Sequence, residues 1–203
     1  MRKNTYELNY KPILDLYETQ KAIKFVKDAF QNDFAESLSL MRVTAPLIVI
    51  PSTWLNDNLN GVERPVSFDI PSAKEDAEIV QSLAKWKRMA LGKYGFKPQE
   101  GLYTDMNAIR RDEDLDYIHS CYVDQWDWEK VITEKDRTFD YLKETVNKIY
   151  QVMKTVERKV YAKYPEYVPV LPQEIAFVST SELEARWPDK TRKEREDLIC
   201  EEK

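Results

Sequence analysis

The chain has 203 residues and a mass of 24.1 kDa, enough for one large domain or two small ones burying roughly 70% of the unfolded surface. Hydrophobic residues at 42% and aromatics at 12%, against 33% charged, place it among globular chains, and no apolar run approaches the roughly 20 residues a membrane helix needs. A single His and two distant cysteines, Cys121 and Cys200, exclude a His-based metal cluster and a disulfide scaffold, while a net charge of −5 argues against nucleic acid as the main partner.

The first ten residues, MRKNTYELNY, lack the apolar stretch of a secretory signal, so a cytoplasmic home with reduced thiols is expected. Residues 19–38 place Ile23, Val26, Phe30, Phe34 and Leu38 at near-helical spacing behind a candidate Thr19 cap. The β-branched run at 41–51, MRVTAPLIVIP, reads as a strand. Its Pro46 cannot donate a ladder hydrogen bond and so favours an edge or an interface. Residues 53–64 are rich in Asn, Asp and Gly and predict an exposed loop. Two short strands follow at 66–70 and 78–81. The second leads into Ser82, a candidate N-cap for a helix carrying Leu83, Trp86, Lys87, Ala90 and Leu91 and ending near Gly92 or Gly95.

From Leu102 the period changes to two. LYTDMNAIR and HSCYVDQWDWE predict two antiparallel strands joined by a charged loop. Alternation puts His119, Cys121, Val123, Gln125 and Asp127 on one face of the second strand and Tyr122, Trp126 and Trp128 on the other. A polar face backed by aromatics suits ligand recognition and equally suits plain solvation. Thr133 and Asp136 resemble a capping box, and Phe139, Leu142, Val146, Ile149, Met153, Val156 and Val160 then form the seam of the longest helix, packed across a sheet. Pro165, Pro169 and Pro172 stiffen a connector to a short strand at 175–178, and residues 181–187 begin a last helical stretch. The charged run at 189–203 reads as a solvated helix face or a frayed tail. Without regular strand-helix alternation, the class is α+β.

Nucleophile elbow, Walker loop, dinucleotide fingerprint and paired-cysteine zinc motifs are all absent. What remains is a polar set at element ends: Asp57, Ser82, Lys87, Arg110, Gln125 and Asp127. Cations suit a phosphate or carboxylate and carboxylates suit an ammonium group, so a ligand with both signs of charge, such as an amino acid with a nucleotide, fits the set. Each member alone also looks like one half of a surface ion pair. His119 as a lone strand His reads as a hydrogen-bonding residue, and Cys121 as a small packing residue.

AKWKR at 84–88, EGLYTDMNAIRRDED at 100–114 and HSCYVDQWDWEKV at 119–131 together resemble ammonia-dependent asparagine synthetase, the aspartate-ammonia ligase family. The resemblance implies the catalytic fold of class II aminoacyl-tRNA synthetases, an antiparallel sheet flanked by helices in a homodimer. The helix at 19–38 with the Pro46 segment matches the first class signature. Arg110, Asp112, His119 and Asp127 match the second. The third, a glycine-rich strand and helix, is missing. Residues 1–203 are therefore expected to form a single catalytic-type domain that is C-terminally truncated. All four glycines fall between Gly61 and Gly101.

By resemblance, aspartate and ATP would give a β-aspartyl adenylate that ammonia converts to asparagine and AMP. Arg110 and Lys87 would neutralise the meeting carboxylate and α-phosphate. Asp57, Ser82, Gln125 and Asp127 would hold aspartate, and Arg110, His119 and Ser120 the nucleotide. Mg2+ would accompany ATP, with no protein residue assigned as a metal ligand. An inactive fragment, or a paralogue that binds aspartate or ATP without turnover, is the competing expectation. Aminoacylation of tRNA is weaker, since no anticodon-binding domain and no basic tract are visible.

Overall fold

The structure is a computed structural model, and it describes residues 11–57, 59–116 and 119–202. The chain divides into two compact units at the Pro169/Val170 boundary.

In the first unit, helix α1 (Leu16–Leu38) starts three residues before Thr19, because the Asp15 carboxylate accepts from the Glu18 N–H at 2.8 Å. The Thr19 hydroxyl instead donates to the Asp15 carbonyl at 2.6 Å. The helix ends at Ser39, whose φ of 59° is left-handed. The run at 41–51 splits into strands β1 (Leu40–Arg42) and β2 (Ile48–Val49), with Pro46 in the irregular stretch between them. Proline supplies no donor to continue either ladder. Strands β3 (Val66–Ile70) and β4 (Glu75–Ile79) join β2 in a small antiparallel sheet of order β2-β4-β3.

Helix α2 (Ala84–Tyr94) closes on Gly95, whose φ of 75° needs no Cβ. Its N-cap is Leu83, and the Ser82 hydroxyl reaches only the Ala84 N–H, at 3.3 Å. Strands β5 (Gly101–Ile109) and β6 (Tyr122–Lys130) form the predicted antiparallel pair, running from Gly101 opposite Lys130 to Ile109 opposite Tyr122. On the far side of β5, β1 pairs in parallel, Leu40 to Gly101 and Arg42 to Tyr103, giving the order β1-β5-β6.

Thr133 and Asp136 do make a capping box, but around a short 3₁₀ turn (Glu134–Asp136). Thr138 caps helix α3 (Phe139–Lys163). The alternation of β5 and β6 dictates two cores, one on each face of the sheet. Leu102, Met106 and Ala108 pack with Val80, Leu83, Trp86 and Ala90 under α2. Tyr103, Trp126 and Trp128 pack against Phe30, Phe34 and Leu38 of α1 and Val152 and Val156 of α3. Each fully buried Leu here contributes about 2 kcal/mol by area burial. The seam of α3 runs through Ile149, Val152, Val156 and Val160, whereas Phe139, Leu142 and Met153 of the expected stripe are exposed.

In the second unit, α4 (Thr180–Arg186) opens on a capping box of Ser179 and Glu182. Helix α5 (Arg192–Glu202) turns the charged run into a solvated face of i,i+4 pairs such as Arg192–Glu196 at 3.0 Å. Residues 175–178 are irregular where a strand was expected, since a β-prone sequence becomes a strand only through a ladder partner. Among the described residues, no helix is long and apolar enough to cross a membrane.

Candidate active site

The candidate residues fall into three groups. The first sits between α2 and β6. Lys87 is buried on the face of α2 that meets the sheet, and its amine bonds the Asp127 carboxylate and donates to the Trp128 carbonyl at 2.9 Å. Glu129 stands 3.5 Å away. Gln125, two positions before Asp127 on the same face, donates to the Met106 sulfur at 3.2 Å. Thr104, fully buried, lies opposite Asp127 in the ladder.

The second group surrounds the end of β4. Buried Asn56 donates to the Glu78 carboxylate at 3.0 Å and to the Ile79 carbonyl at 3.3 Å, and it accepts from the Gln81 N–H at 2.9 Å. The Asn56 carbonyl also accepts from the Lys85 amine at 3.2 Å. These bonds fix the loop that carries Asp57 against the segment that carries Ser82. Both side chains are half-buried.

The third group lies at the end of β5. The Ile109 N–H donates to the Val80 carbonyl at 3.3 Å, which brings the end of β5 beside the end of β4. Arg110 follows, half-buried, with a buried Nε that has no hydrogen-bond partner. Its backbone N–H donates to the Cys121 carbonyl at 2.7 Å, so His119 and Ser120 stand on the loop facing it. His119 lies outside β6. Asp116 accepts its backbone N–H at 2.8 Å and lies 2.9 Å from its ring Nδ1, turning residue 119 away from the strand line. The Ser120 hydroxyl accepts from the Tyr122 N–H at 3.2 Å, at the start of β6.

Asp112 is tied to Arg64, whose backbone N–H donates to it at 2.8 Å and whose Nε donates at 3.0 Å. The bound guanidinium holds the Asp112 carboxyl well below its ordinary range. From Thr104, opposite Asp127, to Arg110 the strand runs about 20 Å, so Arg110 must lean back along the sheet to share a ligand with Lys87. Asn56, Thr104, Glu129 and Gln81 were not distinguishable in the sequence. Each is a common polar residue whose burial, and not its spacing, marks it.

A family model described as aspartate-ammonia ligase matches residues 17–203. The chain belongs to the aspartate-ammonia ligase family. The aspartate-ammonia ligase of Clostridium perfringens is 56% identical over 203 residues, all of this chain and 60% of that protein. The ligase of Limosilactobacillus reuteri is 55% identical over 199 residues, 98% of this chain and 59% of its own. The chain thus spans about 60% of the length of the curated ligases it matches. An asparaginyl-tRNA synthetase from Entamoeba histolytica, solved in complex with asparaginyl-adenylate, superposes with a TM-score of 0.55 at 11% identity. The overlap covers 85% of this chain and 36% of that one. The ligase family member described here therefore has the class II aminoacyl-tRNA synthetase fold expected from its signatures.

Proposed function

We propose that this chain carries the substrate face of an ATP-dependent aspartate-ammonia ligase. The β-carboxylate oxygen of L-aspartate attacks the α-phosphorus of ATP and pyrophosphate leaves. Ammonia then attacks the β-carbonyl carbon, the C–O bond to phosphate breaks, AMP departs, and the nitrogen gives up a proton to solvent. The observation that carries this reading is the buried Lys87–Asp127 pair on the face that also presents Gln125, together with the buried, unpartnered Nε of Arg110 just past the end of β5.

Two anions must approach to bonding distance, and fixed cations in a site shielded from water make that approach cheap. Arg110 would bind the α-phosphate. Lys87 would hold the reacting carboxylate while Asp127 keeps the amine oriented. Asp57, Gln125 and Asp127 would receive the ammonium and carboxylate ends of aspartate, Ser82 would add a hydrogen bond, and His119 with Ser120 would border the adenine. ATP would enter as its magnesium complex. An ion of that kind needs one or two carboxylates beside the phosphates, and among the described residues no cluster of three metal-binding side chains exists to hold it alone. A homodimer in the cytoplasm, with residues 1–203 as one catalytic-type domain, belongs to the same proposal.

A second reading is binding of aspartate or ATP without turnover. Incubation with L-aspartate, magnesium-ATP and ammonium, followed by chromatography for AMP and pyrophosphate, separates the two. Ligation predicts equimolar AMP and asparagine, lost in Arg110→Ala with the melting curve unchanged. Calorimetric binding of both substrates with no AMP selects the second reading.

A further inference from the structure

Gln81 is completely buried, and neither Oε1 nor Nε2 of its amide has a hydrogen-bond partner. Folding strips water from both ends of that amide and returns nothing, an arrangement that protein interiors avoid. Its position makes the omission informative. Its backbone N–H is held by Asn56, the neighbour of Asp57. Ser82 follows it in the chain, and Val80 before it bonds Ile109, the neighbour of Arg110. The buried Nε of Arg110 is also without a partner. Two orphaned polar groups, from the end of β4 and the end of β5, thus lie at one junction, among the residues assigned to aspartate and phosphate.

A side-chain amide offers hydrogen-bond donors at one atom and an acceptor at the other. A phosphate chain supplies acceptors alone and would leave Oε1 unpaired, whereas an amino acid zwitterion supplies a donating ammonium and an accepting carboxylate. We propose that Gln81 is a binding residue for the amino-acid substrate, with Nε2 donating to a carboxylate oxygen and Oε1 accepting from the ammonium group. The proposal rests on the ligase reading and names a contact that reading does not include. Solvent does not touch the amide in this arrangement, so contact requires the side chains over it to turn aside. The residue is kept polar for binding at a cost to folding, and the two effects have opposite signs.

The test uses the full chain and two variants, Gln81→Met, close in length and volume, and Gln81→Leu as a second apolar replacement. Thermal unfolding and calorimetric titration with L-aspartate and with magnesium-ATP are measured for each. The expected result is a higher melting temperature in at least one variant, an aspartate affinity weaker by about tenfold or more, and an unchanged ATP affinity. Parent-like aspartate affinity in a folded variant overturns the role of Gln81 and leaves the ligase reading standing. Equal loss of both affinities also overturns it, since that is the signature of a disturbed fold. A parent chain that binds neither aspartate nor ATP removes the ligase reading and this role with it.

Discussion

Replacing Lys87 by Met separates the structural from the chemical duty of the buried pair. Lys87 is 5% exposed, and its amine serves Asp127, the Trp128 carbonyl and, at 3.5 Å, Glu129. Removing one partner of a buried pair costs about 3–5 kcal/mol, because the remaining charge keeps its desolvation without its countercharge. Here the Asp127 side chain retains 17% of its exposure and Glu129 29%, so water reaches both carboxylates and the lower end, about 3 kcal/mol, applies. For a chain of this length each kcal/mol moves the melting temperature by about 2–4 °C, which predicts a fall of about 6–12 °C by circular dichroism. Adding Asp127→Asn removes the stranded charge and should recover more than half of that fall. A Lys87→Met protein melting within about 2 °C of the parent, with the double variant no different, would refute the view that this pair locks α2 to β6.

Three further outcomes follow from other parts of the fold. A Cβ at Gly101 would collide with the Glu129 carbonyl oxygen and stand 2.6 Å from Leu40 Cδ2 and 2.9 Å from Lys130 Cα, so Gly101→Ala should lower stability by about 1–3 kcal/mol. An unchanged urea midpoint would show that the strands can part there freely. Met153→Asp, at a site 47% exposed, should move the urea midpoint little, while Val156→Asp one turn on should cost more than about 3 kcal/mol; equal effects would place both on one face. The Arg64–Asp112 clasp depresses the carboxyl, so its contribution is full above the ordinary aspartate pKa near 3.9 and is lost as pH falls below it towards the folded value. An NMR titration of the Asp112 carboxyl carbon should show it still ionised at pH 4, and an ordinary midpoint would contradict the clasp.

Local pattern carried the sequence reading where structure is local. The alternation of β5 and β6 put Gln125 and Asp127 on one face and Trp126 and Trp128 on the other, and the structure has them there. The spacing of α3 predicts a stripe through Met153 whereas the packed seam runs through Val152, because a 3-4 spacing admits two adjacent stripes and only the α1 surface decides between them. Thr133 and Asp136 form the capping box their spacing suggests, yet a capping box cannot tell whether a 3₁₀ turn or the long helix follows it. The parallel pairing of β1 with β5 has no local sequence mark at all. The loop positions of His119 and Ser120 depend on hydrogen bonds to Asp116 and Tyr122 that periodicity does not encode. Asn56 and Gln81 remained hidden for the same reason, since burial of a polar side chain is a tertiary fact.

The parallel register of β1 on β5 also sets a timetable for synthesis. Leu40 and Gly101 are partners 61 positions apart, and at about 5–20 residues per second β1 waits some 3–12 s on the ribosome for its neighbour. Asp33 of α1 waits longer for Lys159 of α3, 126 positions downstream. Until residues 126–156 have been made, Phe30, Phe34 and Leu38 lack Trp126 and Trp128 and then the α3 seam to cover them. The nascent chain therefore passes through a long sticky phase that ends only when its second half emerges, and slower translation lengthens the exposure of the very helix on which the back of the sheet is built.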